Sequence, residues 1–219
     1  KFIKMINNGR YKMKNIKMIS QKSKNIKEFS NNYFKRLNEI FNQINDNNLE
    51  KFEKTLNNAR LNDKTIFVFG NGGSASTATT MANDLGFDIL KKTNTKKTFK
   101  FLCLNDNTSV LTAIANDVGY ENIFINQLKI HFKKGDMAII LSASGNSENL
   151  IKAAQWIKNN KGQVLSIIGF DGGKIKKLSD NCIHFKCDKT EYGPIEDIHL
   201  IINHIFAHWF QKKLSKNKK

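Results

Sequence analysis

Two short loops rich in glycine and serine constrain this chain most, because each directly follows a run of apolar residues. Gly70-Asn71-Gly72-Gly73-Ser74 follows the run 65–69, and Ser142-Ala143-Ser144-Gly145-Asn146-Ser147 follows the run 137–141. Short continuous apolar runs are typical of parallel strands buried on both faces, and a helical pattern follows each loop. Both loops should therefore emerge at the same edge of one sheet, facing one crevice.

Such loops are suited to binding an anion. Glycine lets the backbone approach a ligand closely, backbone N–H groups point outward, and the positive end of the next helix favours a phosphate. In the second loop the hydroxyls of Ser142, Ser144 and Ser147 add three donors. Serine is also an ordinary turn residue, and Ser147 equally fits the N-cap of a helix that begins at Glu148. Two such loops at strand ends favour the anion site.

The first loop also fits the G-x-G-x-x-G/A pattern of dinucleotide-binding folds. That pattern expects an acidic residue about 20 residues further on, at the end of the second strand. Here the candidate, Asp106, lies 36 residues past Gly70, and the dinucleotide interpretation leaves the serine loop unexplained. No G-x-x-x-x-G-K-[ST] motif occurs, so we expect no nucleotide cofactor.

The apolar patterns along the chain alternate between strand and helix. They predict an α/β fold in three layers, with a five-stranded parallel sheet flanked by helices and an N-terminal helical extension. Strands are predicted at 65–69, 98–104, 137–141, 164–168 and 182–185, and helices at 23–44, 48–61, 75–85, 108–116, 121–132, from 148, and from 194 to 214. We expect residues 1–21 to form a basic, mobile extension and residues 22–215 to form a single domain.

Basic residues are concentrated at the two ends of the chain. Eleven Lys and Arg lie in residues 1–36 against one acid, and five Lys lie in 212–219 with none. Of the 36 basic and 19 acidic residues in the chain, 20 and 18 therefore remain in between, so +15 of the formal charge of +17 lies at the two ends. Charge blocks of this kind are typical of solvated extensions, and we do not expect a nucleic-acid partner.

The composition also indicates where the protein works. Cys103, Cys182 and Cys187 have no C-x-x-C spacing and fit reduced, buried thiols of a cytoplasmic protein. The first 20 residues contain no uninterrupted apolar segment with a cleavage site, which excludes a usual signal peptide. No run reaches the about 18 apolar residues that span a bilayer, so no membrane association is expected.

Four motifs, in this order and spacing, resemble the sugar isomerase (SIS) domain, and within it the phosphoheptose isomerase family. They are the 71–74 motif, the 142–147 motif, Gly169-Phe170-Asp171-Gly172-Gly173 and Glu196-Asp197-Ile198-His199. The resemblance covers roughly residues 34–210. It implies a cytoplasmic homotetramer with active sites at subunit interfaces. It also implies the interconversion of sedoheptulose 7-phosphate and D-glycero-D-manno-heptose 7-phosphate, which supplies heptose for bacterial lipopolysaccharide or capsule.

The same resemblance assigns residues to roles. It implies that the three serines of the second loop bind the phosphate, and that the other substrate contacts are Asn71, Gly72, Gly73, Ser74, Asn116, Asp117 and Glu196. Aldose–ketose conversion needs a base that moves a proton between neighbouring carbons and an acid that steadies the enediolate. The family positions for these groups are Asp84 and His204.

The catalytic and binding residues on the helices also have simpler explanations. An acid such as Asp84 on a helix is usually only solvated, and a histidine such as His204 among apolar residues is usually a core residue. Glu196 and Asp197 stand in a first helical turn, where the helix dipole alone favours acids. The resemblance favours the functional interpretation for Asp84, Glu196 and His204.

Two residues depart from the family pattern. Many members bind zinc through a histidine, a Glu four residues later, a Gln and a second histidine, and the matching residues here are Thr80, Asp84, Glu196 and His204. A threonine hydroxyl is a poor zinc ligand, so metal binding by Asp84, Glu196 and His204 is open: zinc could be absent, weakly held or replaced. Aspartate is also one methylene shorter than Glu, which shifts a catalytic carboxylate by about 1 Å.

Two other classes of function stay open beside the isomerase. A non-catalytic SIS protein, either a phosphosugar sensor or an interaction protein like the family's replication-initiation regulator, is compatible with Thr80. A nucleic-acid-binding protein would use the basic ends, and its affinity would fall when those ends are deleted.

Overall fold

The computed structural model describes residues 15–215, which form a parallel sheet covered on both faces by helices. The strands are β1 Thr65–Gly70, β2 Lys100–Cys103, β3 Met137–Ser142, β4 Gln163–Ile168 and β5 Asn181–His184. The helices are α1 Ile16–Lys22, α2 Ile26–Phe41, α3 Asp46–Leu61, α4 Gly73–Ala82, α5 Ile89–Thr93, α6 Thr108–Val118, α7 Ile123–His131, α8 Glu148–Asn159, α9 Gly173–Leu178 and α10 Tyr192–Ser215. A π-helical segment, Asn83–Asp88, joins α4 to α5, and a 3₁₀ turn, Tyr120–Asn122, precedes α7.

The five-stranded parallel sheet and its helical layers confirm the predicted α/β fold. The strand order is β2-β1-β3-β4-β5, and every neighbouring pair is parallel. From β1 the chain moves outward to β2 and then returns past β1 to β3, so the order reverses between β1 and β3. In open α/β sheets the ligand crevice lies at this reversal, outside the carboxyl ends of the strands. Both loops begin there.

Alternating side chains of the strands divide the interior into two layers. Ile66 and Val68 of β1 face the layer that α3, α4 and α10 cover, and Phe67 and Phe69 face the layer under α7 and α8. All four side chains are fully buried. Apolar residues at every position of β1 therefore follow from a strand that is covered on both faces.

The sequence prediction was wrong at several boundaries. The segment predicted to be irregular up to residue 21 contains α1, which the side chain of Asn15 caps by accepting from the Met18 N–H at 3.0 Å. The helix predicted to end at Leu85 runs on through the π-helical segment and α5 to Thr93. The helix α1 was missed because seven residues are too few to show a clear apolar periodicity. Its main signal is the polar N-cap, Asn15. The prediction of a mobile extension concerns, for residues 1–14, a part of the chain that lies outside the described residues.

A buried ion pair anchors the chain just before α10. The carboxylate of Glu191 is fully buried and accepts two hydrogen bonds from Arg36 of α2, at 2.8 and 2.7 Å. It also accepts from the backbone N–H groups of Ile16 and Asp188, both at 3.0 Å. This one carboxylate therefore joins α1, α2 and the segment that leads into α10.

The three cysteines are free thiols that are at least partly buried, as predicted. Cys103, Cys182 and Cys187 are free thiols, and burial raises the pKa of Cys103 and Cys187 to about 11. Within residues 15–215, no helix is both long and apolar enough to cross a bilayer.

Candidate phosphosugar site

The two glycine and serine loops lie side by side at the end of the sheet, as the apolar runs predicted. Their strands are adjacent, with Gly70 of β1 aligned to Leu141 of β3. A cleft of about 340 Å³ opens beside the first loop, and its walls are Gly70, Asn71, Gly72, Ala75, Asn105, Leu111, Thr112, Ala115, Tyr120 and Ile123. This cleft is thus bounded by the first loop on one side and by α6 and the turn after it on the other, and the serine loop is not part of its lining.

Asn71 fixes the first loop to the helix that follows the second loop. Its side-chain amide forms a reciprocal pair with that of Asn149 on α8, with both N···O distances at 3.0 Å. The Tyr120 hydroxyl donates to the same Asn71 oxygen at 3.1 Å. Asn105 holds the start of the loop, because it accepts from the Gly70 N–H at 3.2 Å and donates to the Gly70 carbonyl at 3.0 Å. The position of the first loop is therefore set by four polar side chains.

The serine loop keeps hydroxyl protons available for a ligand. Ser142 Oγ accepts from the Gly145 N–H at 2.9 Å, and Ser144 Oγ accepts from the Asn146 N–H at 3.2 Å. Because each hydroxyl acts as an acceptor in these bonds, its own O–H is free to donate elsewhere. Ser147 occupies the N-cap position of α8, yet its side chain makes no capping hydrogen bond. The simpler explanation of Ser147 as a side-chain cap is therefore wrong.

A third glycine turn supports the serine loop from behind. Gly145 has φ +63°, and a Cβ at that position would overlap the Gly172 carbonyl. The Ile175 N–H donates to the Gly145 carbonyl at 3.0 Å, and the Lys174 N–H donates to Asn146 Oδ1 at 3.1 Å. The 169–173 motif is thus the surface on which the serine loop rests.

Asp84 and His204 lie together where the segment after α4 packs against the middle of α10. His204 Nε2 is 3.6 Å from Asp84 Oδ2, and the His204 side chain is 52 % exposed against 17 % for Asp84. His204 is therefore not a core histidine. The amide of Asn203 donates to Asp84 Oδ2 at 2.7 Å, and the amide of Asn83 donates to Asp84 Oδ1 at 3.0 Å. Asp84 lies in the π-helical segment, a rare conformation that is common at functional sites.

Glu196 and His199 of α10 instead face the first turn of α4. A Cβ at Gly73 would come within 2.4 Å of the Glu196 carboxylate, so that carboxylate lies directly against the start of α4. A carboxylate at this point is favoured by the positive end of α4. Ser74 Oγ lies 3.3 Å from Nδ1 of His199, which is fully buried. Glu196 thus lies at the start of α4, whereas Asp84 lies beyond its end.

Asp197, next to Glu196, is bonded to α2. The Tyr33 hydroxyl donates to Asp197 Oδ2, and burial together with this carboxylate raises the pKa of Tyr33 above its ordinary value. The first turn of α10 is therefore held by α2 as well as by α4.

Burial makes His199 a pH-sensitive element of the fold. Removal from water lowers its pKa from 6.5 to about 4, although the neighbouring Ile167 backbone opposes the shift. Between these values the unfolded chain binds a proton that the folded chain does not. The free energy of unfolding should therefore be highest above pH 6.5 and fall as the pH drops toward 4, with a slope of about 1.4 kcal/mol per pH unit from this residue.

Chemical denaturation between pH 7 and 4 checks this dependence on His199. The variant His199→Gln should lose that part of the slope, since glutamine does not titrate. Identical slopes for the variant and the wild type would contradict it.

The Asn116–Asp117 pair is not bonded to either loop. Both residues are exposed in the last turn of α6, where Asn116 Nδ2 donates to Asp117 Oδ1 at 2.9 Å. The polar contact from this region to the first loop comes from Tyr120 instead. Sequence reasoning missed Asn105, Tyr120, Asn149 and Asn203, because their partners are distant along the chain.

The residues at the predicted metal position do not fit zinc. Thr80 Oγ1 donates to the Ser76 carbonyl at 3.1 Å, and both Asp84 oxygens accept from amides. Glu196 lies against Gly73 rather than beside Asp84. Among residues 15–215 no three His, Cys, Asp or Glu side chains are grouped closely enough to hold a metal ion. The donor set that zinc prefers therefore does not converge at Asp84.

Comparison with known proteins agrees with this architecture. The model of the SIS domain family matches residues 31–169. A phosphoheptose isomerase from Aneurinibacillus thermoaerophilus is 36% identical over 157 residues, which cover 72% of this chain and 77% of that protein. One from Helicobacter pylori is 41% identical over 147 residues, covering 67% and 73%.

Solved structures show the same fold. A phosphoheptose isomerase from Neisseria gonorrhoeae superposes with a TM-score of 0.75 at 24% identity, covering 86% of this chain and all of that one. Another from Francisella tularensis gives 0.73 at 19% identity, with 86% and 99% covered. Given its fold, its two loops and these matches, the chain belongs to the SIS domain family and, within it, to the phosphoheptose isomerases.

Proposed function

We propose that this protein is a sugar-phosphate aldose–ketose isomerase that interconverts sedoheptulose 7-phosphate and D-glycero-D-manno-heptose 7-phosphate. The observation that carries the proposal is that one chain holds both a phosphate-type loop and a carboxylate–imidazole pair. The loop is Ser142–Ser147, and the pair is Asp84 with His204 at 3.6 Å. Relatives 36% and 41% identical that bear the name phosphoheptose isomerase support the same activity.

In this proposal the serine loop holds the phosphate. The hydroxyls of Ser142 and Ser144 accept hydrogen bonds from N–H groups of their own loop, so their own protons can be donated to a ligand. The Ser147 side chain makes no capping hydrogen bond to α8. Backbone N–H groups at the start of α8 and the helix dipole add to the attraction for a dianion. Asn71, Gly72, Gly73 and Ser74 then line the sugar, with Asn116, Asp117 and Glu196 at the border of the site.

Asp84 and His204 then carry the proton transfers. Asp84 removes a proton from C1 of the ketose, and the electron pair forms the C1–C2 double bond of an enediolate with negative charge on the C2 oxygen. His204 protonates that oxygen and takes the proton from the C1 hydroxyl, while the Asp84 carboxyl, whose proton exchanges with solvent during the lifetime of the enediol, delivers a proton to C2, which yields the aldehyde at C1. Positioned acids and bases of this kind contribute about 10²- to 10⁴-fold to a rate.

The surface beside His204 supports a homotetramer with active sites at subunit interfaces. A largely apolar groove of about 900 Å³ runs between α3 and α10, and its lining includes Ile201, His204, Ile205 and Trp209. The Trp209 side chain is 48% exposed in the single chain. A second subunit on this face would shield both the apolar residues and His204 from water. We further propose a cytoplasmic enzyme that supplies heptose for surface polysaccharide.

The proposed function is tested by turnover of sedoheptulose 7-phosphate by the purified protein. The aldose phosphate should form, and sedoheptulose without its phosphate should react at least about 100-fold more slowly because the serine loop then has no ligand. Equal rates with both sugars would contradict a phosphate-anchored site.

Gly145→Ala should weaken substrate binding through the serine loop. Alanine is strained at φ +63°, and its methyl group would overlap the Gly172 carbonyl, so the loop must move away from its support. Strain of about 1–3 kcal/mol concentrated in the loop predicts a KM about 5- to 150-fold higher. Steady-state kinetics with sedoheptulose 7-phosphate measure it.

A matched control for the Gly145 variant is Gly135→Ala. Gly135 also has a positive φ, +88°, but only the flexible end of Lys64 lies near its Cβ direction, and it precedes β3 at the opposite edge of the sheet. This variant should lose stability and keep its KM. An unchanged KM for Gly145→Ala would remove the serine loop from the binding site.

A non-catalytic phosphosugar-binding protein is the second candidate function, and the arrangement around Thr80 favours it. The Thr80 hydroxyl is bonded to its own helix, and no metal donor set converges at Asp84. Such a protein would bind sedoheptulose 7-phosphate without converting it, so binding measured together with turnover separates the two functions.

A further inference from the structure

We propose that Asn203 is a positioning residue that aims the Asp84 carboxylate at the sugar, which deepens the proposed isomerase function and rests on it. Asn203 Nδ2 donates to Asp84 Oδ2 at 2.7 Å. Its neighbour on α10, His204, approaches the same oxygen at 3.6 Å. Two consecutive residues of α10 thus converge on one atom of the proposed base.

Asn203 is poorly explained as a residue that only stabilises the fold. It is fully buried, and its Oδ1 has no hydrogen-bond partner among the described residues. A buried polar atom without a partner destabilises a protein by about 1–3 kcal/mol. An apolar side chain at this position, between α10 and α4, would avoid that penalty. The amide is therefore best explained by what its nitrogen does for Asp84.

Asp84 needs such a tether because of where it lies. It belongs to the π-helical segment, whose backbone departs from the α-helical pattern, and aspartate has a short side chain. Asn83 Nδ2 holds Oδ1 at 3.0 Å, and Asn203 holds Oδ2, so amides from two elements fix both oxygens. A carboxylate offers about four lone-pair positions, so each oxygen can still accept from a substrate. Two amides thus orient the carboxylate at a position where zinc does not fit.

Replacing Asn203 with leucine tests this role, because leucine is similar in size and cannot donate. A base displaced by about 1 Å can lose about 100-fold in rate. We therefore expect kcat to fall about 10- to 100-fold while KM for sedoheptulose 7-phosphate stays within about twofold, since Asn203 does not contact the phosphate loop. If the leucine variant does not fold, Asn203→Ser, whose hydroxyl is too short to reach Asp84, carries the same expectation.

Asn181→Leu is the matched control. Asn181 is also a buried asparagine, 6% exposed, and it donates to the Asn48 carbonyl at 2.9 Å at the start of β5, away from the loops. Its loss should lower the melting temperature and leave kcat and KM unchanged. If the Asn203 variants show this same pattern, the positioning role is wrong.

A crystal structure of Asn203→Leu decides the question independently of activity. We expect the Asp84 carboxylate to leave its position beside His204 in this variant and to keep it in Asn181→Leu. An unmoved Asp84 would overturn the inference even if the wild type is an active isomerase. An inactive wild type in which Asn203→Leu displaces Asp84 would instead overturn the proposed function and leave the positioning contact standing.

Discussion

Asp84→Asn should lower kcat for sedoheptulose 7-phosphate by about 10²- to 10⁴-fold, with little change in KM. The amide is nearly identical in shape, so the π-helical segment is retained, but it cannot remove a proton from carbon. The phosphate loop follows β3, away from the π-helical segment along the chain, and should bind the substrate as before. Steady-state kinetics on variant and wild type measure the effect.

Asp88→Asn is the control for this variant, because Asp88 is a second carboxylate of the same segment. It pairs with Lys92 at 2.5 Å and accepts from Gln211 at 3.3 Å. Its replacement removes a partly exposed ion pair, so kcat should stay within about twofold of the wild type. Equal kcat values for the two variants would remove Asp84 from the proposed base role.

Arg36→Met should destabilise the fold by about 3–5 kcal/mol, the loss expected when one partner of a buried ion pair is removed. Glu191 is fully buried, and after the change its charge would keep only the N–H groups of Ile16 and Asp188. Denaturation by urea measures the free energy of unfolding.

Two further variants separate the buried pair from the exposed one. Arg36 also contacts Glu39 at 3.1 Å, and that carboxylate is 49% exposed, so Glu39→Gln should lower stability by less than about 1 kcal/mol. Adding Glu191→Gln to Arg36→Met should restore part of the loss, because the unpaired buried charge is removed, while the single amide oxygen can accept from only one of the two backbone N–H groups. A double variant as unstable as Arg36→Met would contradict this explanation.

The sequence predicted the parts of the fold that depend on local patterns. Short continuous apolar runs predicted β1 and β3. The glycine and serine loops that follow these strands marked the point where the strand order reverses. The short helix α1 was missed because its main signal is the cap by Asn15. The π-helical segment was missed because nothing in residues 83–88 distinguishes it from an ordinary helix.

The candidate site was predictable only in part, for a physical reason. The serine loop is continuous in sequence, so its chemistry was visible there. The environment of Asp84 is made by Asn203, which is 119 residues away, and the Asn71–Asn149 pair joins residues 78 apart. Such contacts arise where α10 packs against α4 and the segment after it, and where the first loop packs against α8. The periodicity of apolar residues does not reveal this packing. The same packing turns Glu196 toward Gly73.

The central claim, isomerisation through an enediolate at Asp84, is tested most directly by NMR of sedoheptulose 7-phosphate incubated with the chelator-treated protein in D₂O. The account predicts that heptose 7-phosphate forms with deuterium at C2, and that Asp84→Asn suppresses both the product and the deuterium. Binding of the sugar phosphate without product or exchange would contradict the account, and so would product formed without any deuterium at C2.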